Sequence, residues 1–112
     1  DFWATWCKPC IMELATLKNE TPIWQQEYNA KLVLISIDDS SKIEKIKALA
    51  EKKKWNYELY IDKDKQSRSK LGVTQIPNMF LVNKNGDVIL HELGYSKHGV
   101  TKIGKTIKKN SK

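Results

Sequence analysis

The sequence predicts an α/β unit, a single mixed sheet with helices packed over it, and three observations point there. An unbroken apolar, β-branched run, "KLVLISI", stands between two segments of helical periodicity; this is the pattern of a strand buried on both faces and reached by helical crossovers. The stretch "MFLVNKNGDVILHELG" sets two apolar segments on either side of an Asn-Gly pair, the signal of an antiparallel hairpin. Crossovers join parallel strands and hairpins join antiparallel ones, so a sheet holding both is mixed. At 112 residues the chain has the size of one domain, and one core over 1–112 is the expectation.

Taken in order, the first element is a helix through "CIMELATLKNE", where Ile11, Leu14 and Leu17 recur at helical spacing. "TPIWQQEYN" resumes it with Thr21 in a capping position and Pro22 where a first-turn proline would sit, so a break or kink is expected before Pro22. "KLVLISI" follows as a central strand. "DDSS" then caps a helix in which Ile43, Ile46, Leu49 and Ala50 form one stripe opposite a lysine face. "YELYI" reads as a strand, "KQSRSKLG" as a short helix closed by Gly72, then come the hairpin and a last helix carrying Val100, Ile103 and Ile107. No repeat, low-complexity tract or linker interrupts this order.

Composition removes several classes of function. The net charge is +7, but all except one of the 20 basic residues are lysines, Arg68 being the exception. They are scattered among acids with no Gly-rich or aromatic RNA-binding signature, which describes a solvated surface and no nucleic-acid partner. No stretch approaches the roughly 18 apolar residues of a membrane span, so this segment is not expected to contact a membrane. Its opening, Asp1-Phe2-Trp3 without an initiator methionine, leads us to expect an upstream portion.

The chemistry sits in "DFWATWCKPC", which holds both cysteines. A bridge between positions so close hardly constrains the unfolded chain, so stability is not its purpose. Placed at the start of the first helix, Cys7 meets free backbone N–H groups and the positive end of the helix dipole, which favour its thiolate. Cys10 lies one turn inside, and Pro9 occupies a position where a missing N–H costs nothing. Lowering a thiol from about 8.5 to about 7 makes roughly half of it thiolate at neutral pH, a value suited to attack on disulfides. Lys8 adds a little screened positive potential. The competing reading is half of a zinc site; only His91 and His98 could complete it, without paired spacing, so no metal is expected.

"DFWATWCKPC" resembles the active-site segment of the thioredoxin superfamily, and "GVTQIPNMFLVNKNGDVI" resembles the strand-turn-strand that follows that family's cis-proline. The resemblance covers nearly all of the chain. It implies a thioredoxin fold with Pro77 facing the Cys7–Cys10 pair and Ile76 beside it, backbone groups there being free to pair with an extended substrate. Cys7 and Pro77 are 70 positions apart, longer than in a plain thioredoxin; the extra helix and strand, "SSKIEKIKALAEKKKWNYELYID", are similar to those of TlpA- and ResA-like extracytoplasmic thiol-disulfide oxidoreductases. Glu13 matches an acid common in that group. Asp1 departs from it, since asparagine is frequent there, while thioredoxins carry an aspartate that assists deprotonation of the second cysteine. A peroxiredoxin has a threonine three positions before its cysteine, whereas Thr5 is two before Cys7.

The resemblance therefore implies a thiol-disulfide oxidoreductase that reduces protein disulfides through Cys7 and Cys10, without a cofactor. Trp6, Lys8, Pro9, Ile76 and Pro77 are the expected substrate surface, and Asp1 and Glu13 the expected pKa-tuning acids. The implied partners are disulfide-containing proteins and an upstream electron-donor protein, outside the cytoplasm or, alternatively, within it. The other class of reading is a redox-inactive thioredoxin-fold module for docking or metal delivery. In the superfamily a central strand precedes the cysteine motif, and here only Asp1 and Phe2 of it are expected, with N-terminal strand material missing.

Overall fold

The computed structural model describes residues 1–111; Lys112, the last residue of the expected domain, lies outside the described residues. Five strands, β1 (Phe2–Trp3), β2 (Val33–Ser36), β3 (Glu58–Ile61), β4 (Asn78–Val82) and β5 (Val88–Leu93), form one sheet in the order β3-β2-β1-β4-β5. Strands β1 to β3 run parallel, while β4 is antiparallel to β1 and β5 to β4. The mixed sheet follows from helical crossovers on one side of β1 and the Asn85–Gly86 turn on the other. Gly86 has φ 88° there, a backbone conformation glycine adopts without strain.

β1 is two residues long and occupies the centre of the sheet. Phe2 pairs with Ile35 on one side and with Asn78 on the other. Asp1 prolongs the ladder, its carbonyl accepting from the N–H of Ile35 (2.9 Å), and the carbonyl of Trp3 accepts from Ile37 (2.8 Å). Both aromatic side chains of β1 are buried. Phe2 meets Phe80 edge-on at 6.0 Å, and Trp3 meets Trp55 edge-on at 5.5 Å. Each contact adds about 0.5–1.5 kcal/mol beyond area burial.

Helix α1 (Lys8–Tyr28) buries Leu14, Leu17 and Trp24 against Val100, Ile103 and Ile107 of α4 (Lys97–Asn110), and Ile46 of α2 (Ile43–Lys53) joins the same cluster. Gly104 makes the α1–α4 approach close: a Cβ there would stand 3.2 Å from Nε1 of Trp24. The expected stripe of α2 is buried at Ile46 and Ala50, whereas Ile43 is exposed at the first turn. The short helix α3 (Gln66–Leu71) ends on Gly72 at φ 66°.

The break expected before Pro22 does not occur. α1 is continuous through Pro22, and Thr21 is a helical residue, not a cap. Leu14, Leu17 and Trp24 are buried on both sides of the proline, and their packing outweighs the one helix hydrogen bond that proline removes. The helix stops instead at Asn29, in the left-handed region at φ 55°, whose N–H returns to the carbonyl of Gln25.

Candidate active site

The chain leaves β1 at Trp3, turns through Ala4–Cys7 with the Cys7 N–H donating to the carbonyl of Ala4 (3.1 Å), and enters α1. Cys7 is the helix cap, with extended backbone (φ −92°, ψ 101°), and its sulfur accepts the backbone N–H of Cys10 at 3.3 Å. An extended residue directly before the first helical turn aims its side chain back over the free N–H groups. The two cysteines form a disulfide with Cα atoms 5.2 Å apart. Cys7 is 6% exposed and Cys10 0%. The pair is thus more covered than a bare helix start suggests, with Cys7 the outer sulfur.

Trp6 is 67% exposed, and Lys8, Pro9 and Met12 are exposed beside it. The large apolar groups of Trp6, Pro9 and Met12 leave an exposed apolar patch beside the disulfide. On the opposite segment, Ile76 packs against the cluster that contains both cysteines, and Pro77 is buried. The Ile76–Pro77 peptide bond is cis. The pairing of Phe2 with Asn78 sets Pro77 level with Trp3, at the end of β1 from which the chain runs on to Cys7. The carbonyl of Pro77 accepts from the N–H of Gly94 (2.8 Å).

Glu13, one turn after Cys10, is 2% exposed, and its Oε1 has no hydrogen-bond partner among the described residues. Both carboxyl oxygens of Asp1 are likewise buried without a partner. Burial pushes the Glu13 carboxyl up to about 7, and the nearby Glu92 reinforces it. A carboxyl that titrates near neutrality can hold or accept a proton there.

His91 and His98 lie apart from this site. His91 stacks on Phe80 with ring centroids 4.4 Å apart and hydrogen-bonds Asn78, while His98 is exposed at the start of α4. Sequence reasoning missed Asp38. "DDSS" was expected to cap the following segment, and Asp39 alone does so, accepting from Ser41. Asp38 turns back toward Thr5. The available signal was the alternation Ser36-Ile37-Asp38 at the end of a buried strand, which sends two polar side chains to the face where the cysteine loop begins.

The sheet order, the helix cap and the cysteine pair define a thioredoxin-like protein. The chain belongs to the AhpC/TSA family, whose model matches residues 1–91. It is 30% identical over 88 residues to the thiol-disulfide oxidoreductase ResA of Geobacillus thermodenitrificans, covering 79% of this chain and 49% of that protein. It spans about half the length of the curated relatives it matches. A thioredoxin-like protein from Porphyromonas gingivalis superposes with a TM-score of 0.82 at 32% identity, over 96% of this chain and 71% of the other. StoA of Bacillus subtilis shares the fold, with a TM-score of 0.75 at 21% identity over 93% of this chain and 78% of StoA.

Proposed function

We propose that residues 1–112 act as one thioredoxin-like domain that reduces protein disulfides through Cys7 and Cys10. The observation that carries this reading is the Cys10 N–H aimed at the Cys7 sulfur on a helix cap, the arrangement that stabilises a thiolate at the outer cysteine. In the reduced form, the Cys7 thiolate attacks a substrate disulfide; one substrate sulfur leaves as a thiolate and takes a proton from water. Cys10, its proton passed to Glu13, attacks Cys7 in the mixed disulfide. The second substrate thiolate departs, the Cys7–Cys10 disulfide closes, and two electrons have moved to the substrate. A donor protein returns the pair to the dithiol.

Trp6, Lys8, Pro9, Ile76 and Pro77 form the surface on which the substrate strand lies, with the exposed indole supplying apolar contact. Asp1 and Glu13 adjust the proton affinity of the inner thiol from below. An extracytoplasmic location goes with the ResA-like match; no described helix is long and apolar enough to cross a membrane. Insulin-disulfide reduction, together with the equilibrium of the pair against glutathione, tests the reading. Turnover with both thiols present, lost in Cys7→Ser, is expected. A pair that equilibrates with glutathione yet never reduces a protein disulfide would favour the docking or metal-delivery module instead.

A further inference from the structure

Between β1 and α1 the backbone has four residues, Ala4–Cys7, in which to turn and present a sulfur. Beyond the Cys7–Ala4 hydrogen bond, this turn is tied down by the side chain of Asp38. Its Oδ2 accepts the backbone N–H of Thr5 at 2.9 Å and its Oδ1 accepts the Thr5 hydroxyl at 2.7 Å. Oδ2 also accepts the Ser36 hydroxyl at 2.6 Å, while the Asp38 N–H donates to Ser36 Oγ at 2.9 Å. Asp38 is 6% exposed and Ser36 0%. One carboxylate therefore gathers the polar atoms at the end of β2 and fastens them to the turn that carries Trp6 and Cys7. Charge-assisted bonds of this length are the strong kind, and a buried network with its donors satisfied holds one geometry.

The catalytic need for such a clamp is specific. The Cys7 sulfur takes its N–H partner from its own helix start, and the Thr5–Trp6 peptide is the link through which that start is held against the end of the sheet. Ala4 and Cys7 of the turn pack into the core cluster and Trp6 points outward, 67% exposed, while the Thr5 side chain makes the hydrogen bond to Asp38. We propose that Asp38 is a positioning residue for thiol-disulfide exchange, holding the Thr5–Trp6 segment and, through it, the helix cap on which the Cys7 sulfur is presented. The inference rests on the oxidoreductase reading for its biological meaning, but its test reads the cysteine itself.

In the reduced full chain, the rate of iodoacetamide alkylation at Cys7 is measured across pH for Thr5→Val, Thr5→Ser and Asp38→Asn. Thr5→Val removes one donor without changing shape or charge. It is expected to slow Cys7 alkylation at neutral pH by about 3- to 10-fold and to raise its midpoint; Thr5→Ser restores the rate, and Asp38→Asn loses at least as much as Thr5→Val. Ile107→Val, a buried change at the far end of α4, serves as the control for lost stability and leaves the Cys7 rate unchanged. Two results would overturn the assignment: Thr5→Val reacting like the unaltered protein, or Ile107→Val slowing Cys7 as much as Thr5→Val does. Faster alkylation in Asp38→Asn with no change in Thr5→Val would also overturn it, because Asp38 would then act through charge alone. If Asp38→Asn does not fold, Thr5→Val and Thr5→Ser still decide. Absence of insulin reduction by the unaltered protein would count against the oxidoreductase reading and leave the Cys7 rates to judge Asp38.

Discussion

The backbone N–H of Cys10 points at the sulfur of Cys7 across 3.3 Å, and among the described residues nothing equivalent points at the sulfur of Cys10. In the proposed mechanism the pair therefore has a direction, with Cys7 as the attacking sulfur and Cys10, enclosed by its own turn, as the resolving one. Serine at position 10 keeps the size and removes the resolving thiol. Cys10→Ser is expected to accumulate mixed disulfides with protein partners through Cys7, about tenfold or more above Cys7→Ser, which should form almost none. Affinity capture analysed without and then with reductant measures both, and the reverse pattern would exchange the two roles.

Glu13 makes folding stability depend on pH. With its folded carboxyl raised to about 7 by burial and its unfolded value near 4.5, the native state favours the protonated form. Stability linked to this group is complete below the unfolded value and is lost as pH rises toward 7. Glu13→Gln cannot ionise, so it should match the unaltered protein at pH 4 and exceed it above pH 7, by on the order of 2–3 kcal/mol. Urea melts of the oxidised forms across this range check it. A variant no more stable at pH 8 than the original would show that a partner satisfies the carboxylate.

The mixed character of the sheet, the helix order and the pairing of Cys7 with Cys10 are legible in the sequence because each has a local cause. Apolar period marks "KLVLISI" as an interior strand, Asn85–Gly86 marks the hairpin, and the short cysteine spacing leaves the two sulfurs one helical turn apart. A break at Pro22 is where the sequence misleads, for the opposite reason. Its effect on α1 is decided by Leu14, Leu17 and Trp24 packing on α4, partners that lie far off in sequence. Asp38 and Glu92 were not singled out for the same cause: what they do depends on Thr5 and on Glu13, which only the folded sheet brings to them.

Asp62 and Arg68 hold α3 in place. The Asp62 carboxylate, 1% exposed, accepts from the N–H groups of Ser67 and Arg68 and from Nε of Arg68 at 2.8 Å. Against the cost of burial, the Arg68 guanidinium and the two backbone N–H groups keep Asp62 below its ordinary value. Arg68→Ala leaves that carboxylate buried with one partner fewer and is expected to cost about 2–4 kcal/mol at pH 7. The sign follows from the lowered folded value: the contribution is present above about pH 4 and lost as pH falls through the folded value. The gap between variant and original in urea midpoints should therefore narrow in acid. A gap that persists unchanged at pH 2.5 would mean that lost packing, not charge, is the cause.

Pro22 sits in the interior of α1 with its ring exposed. It offers no N–H to the carbonyl of Lys18, four residues earlier, and it carries an intrinsic helix penalty of about 3 kcal/mol relative to alanine. The restriction proline imposes on the unfolded chain returns about 1 kcal/mol of that. Pro22→Ala exposes no new core and restores one helix hydrogen bond, so it should stabilise the protein by about 1–2 kcal/mol and raise Tm by several degrees. Insulin reduction should be unchanged, since Pro22 lies three turns beyond Cys10 on the same helix. The competing possibility is that a bend at Pro22 seats Trp24, 7% exposed, against Gly104 of α4, where a Cβ would come within 3.2 Å of the indole. In that case straightening the helix would push the ring into α4, and Pro22→Ala would lower Tm. Thermal melts decide between the two, and a lowered Tm would make the proline part of the α1–α4 packing instead of a tolerated defect.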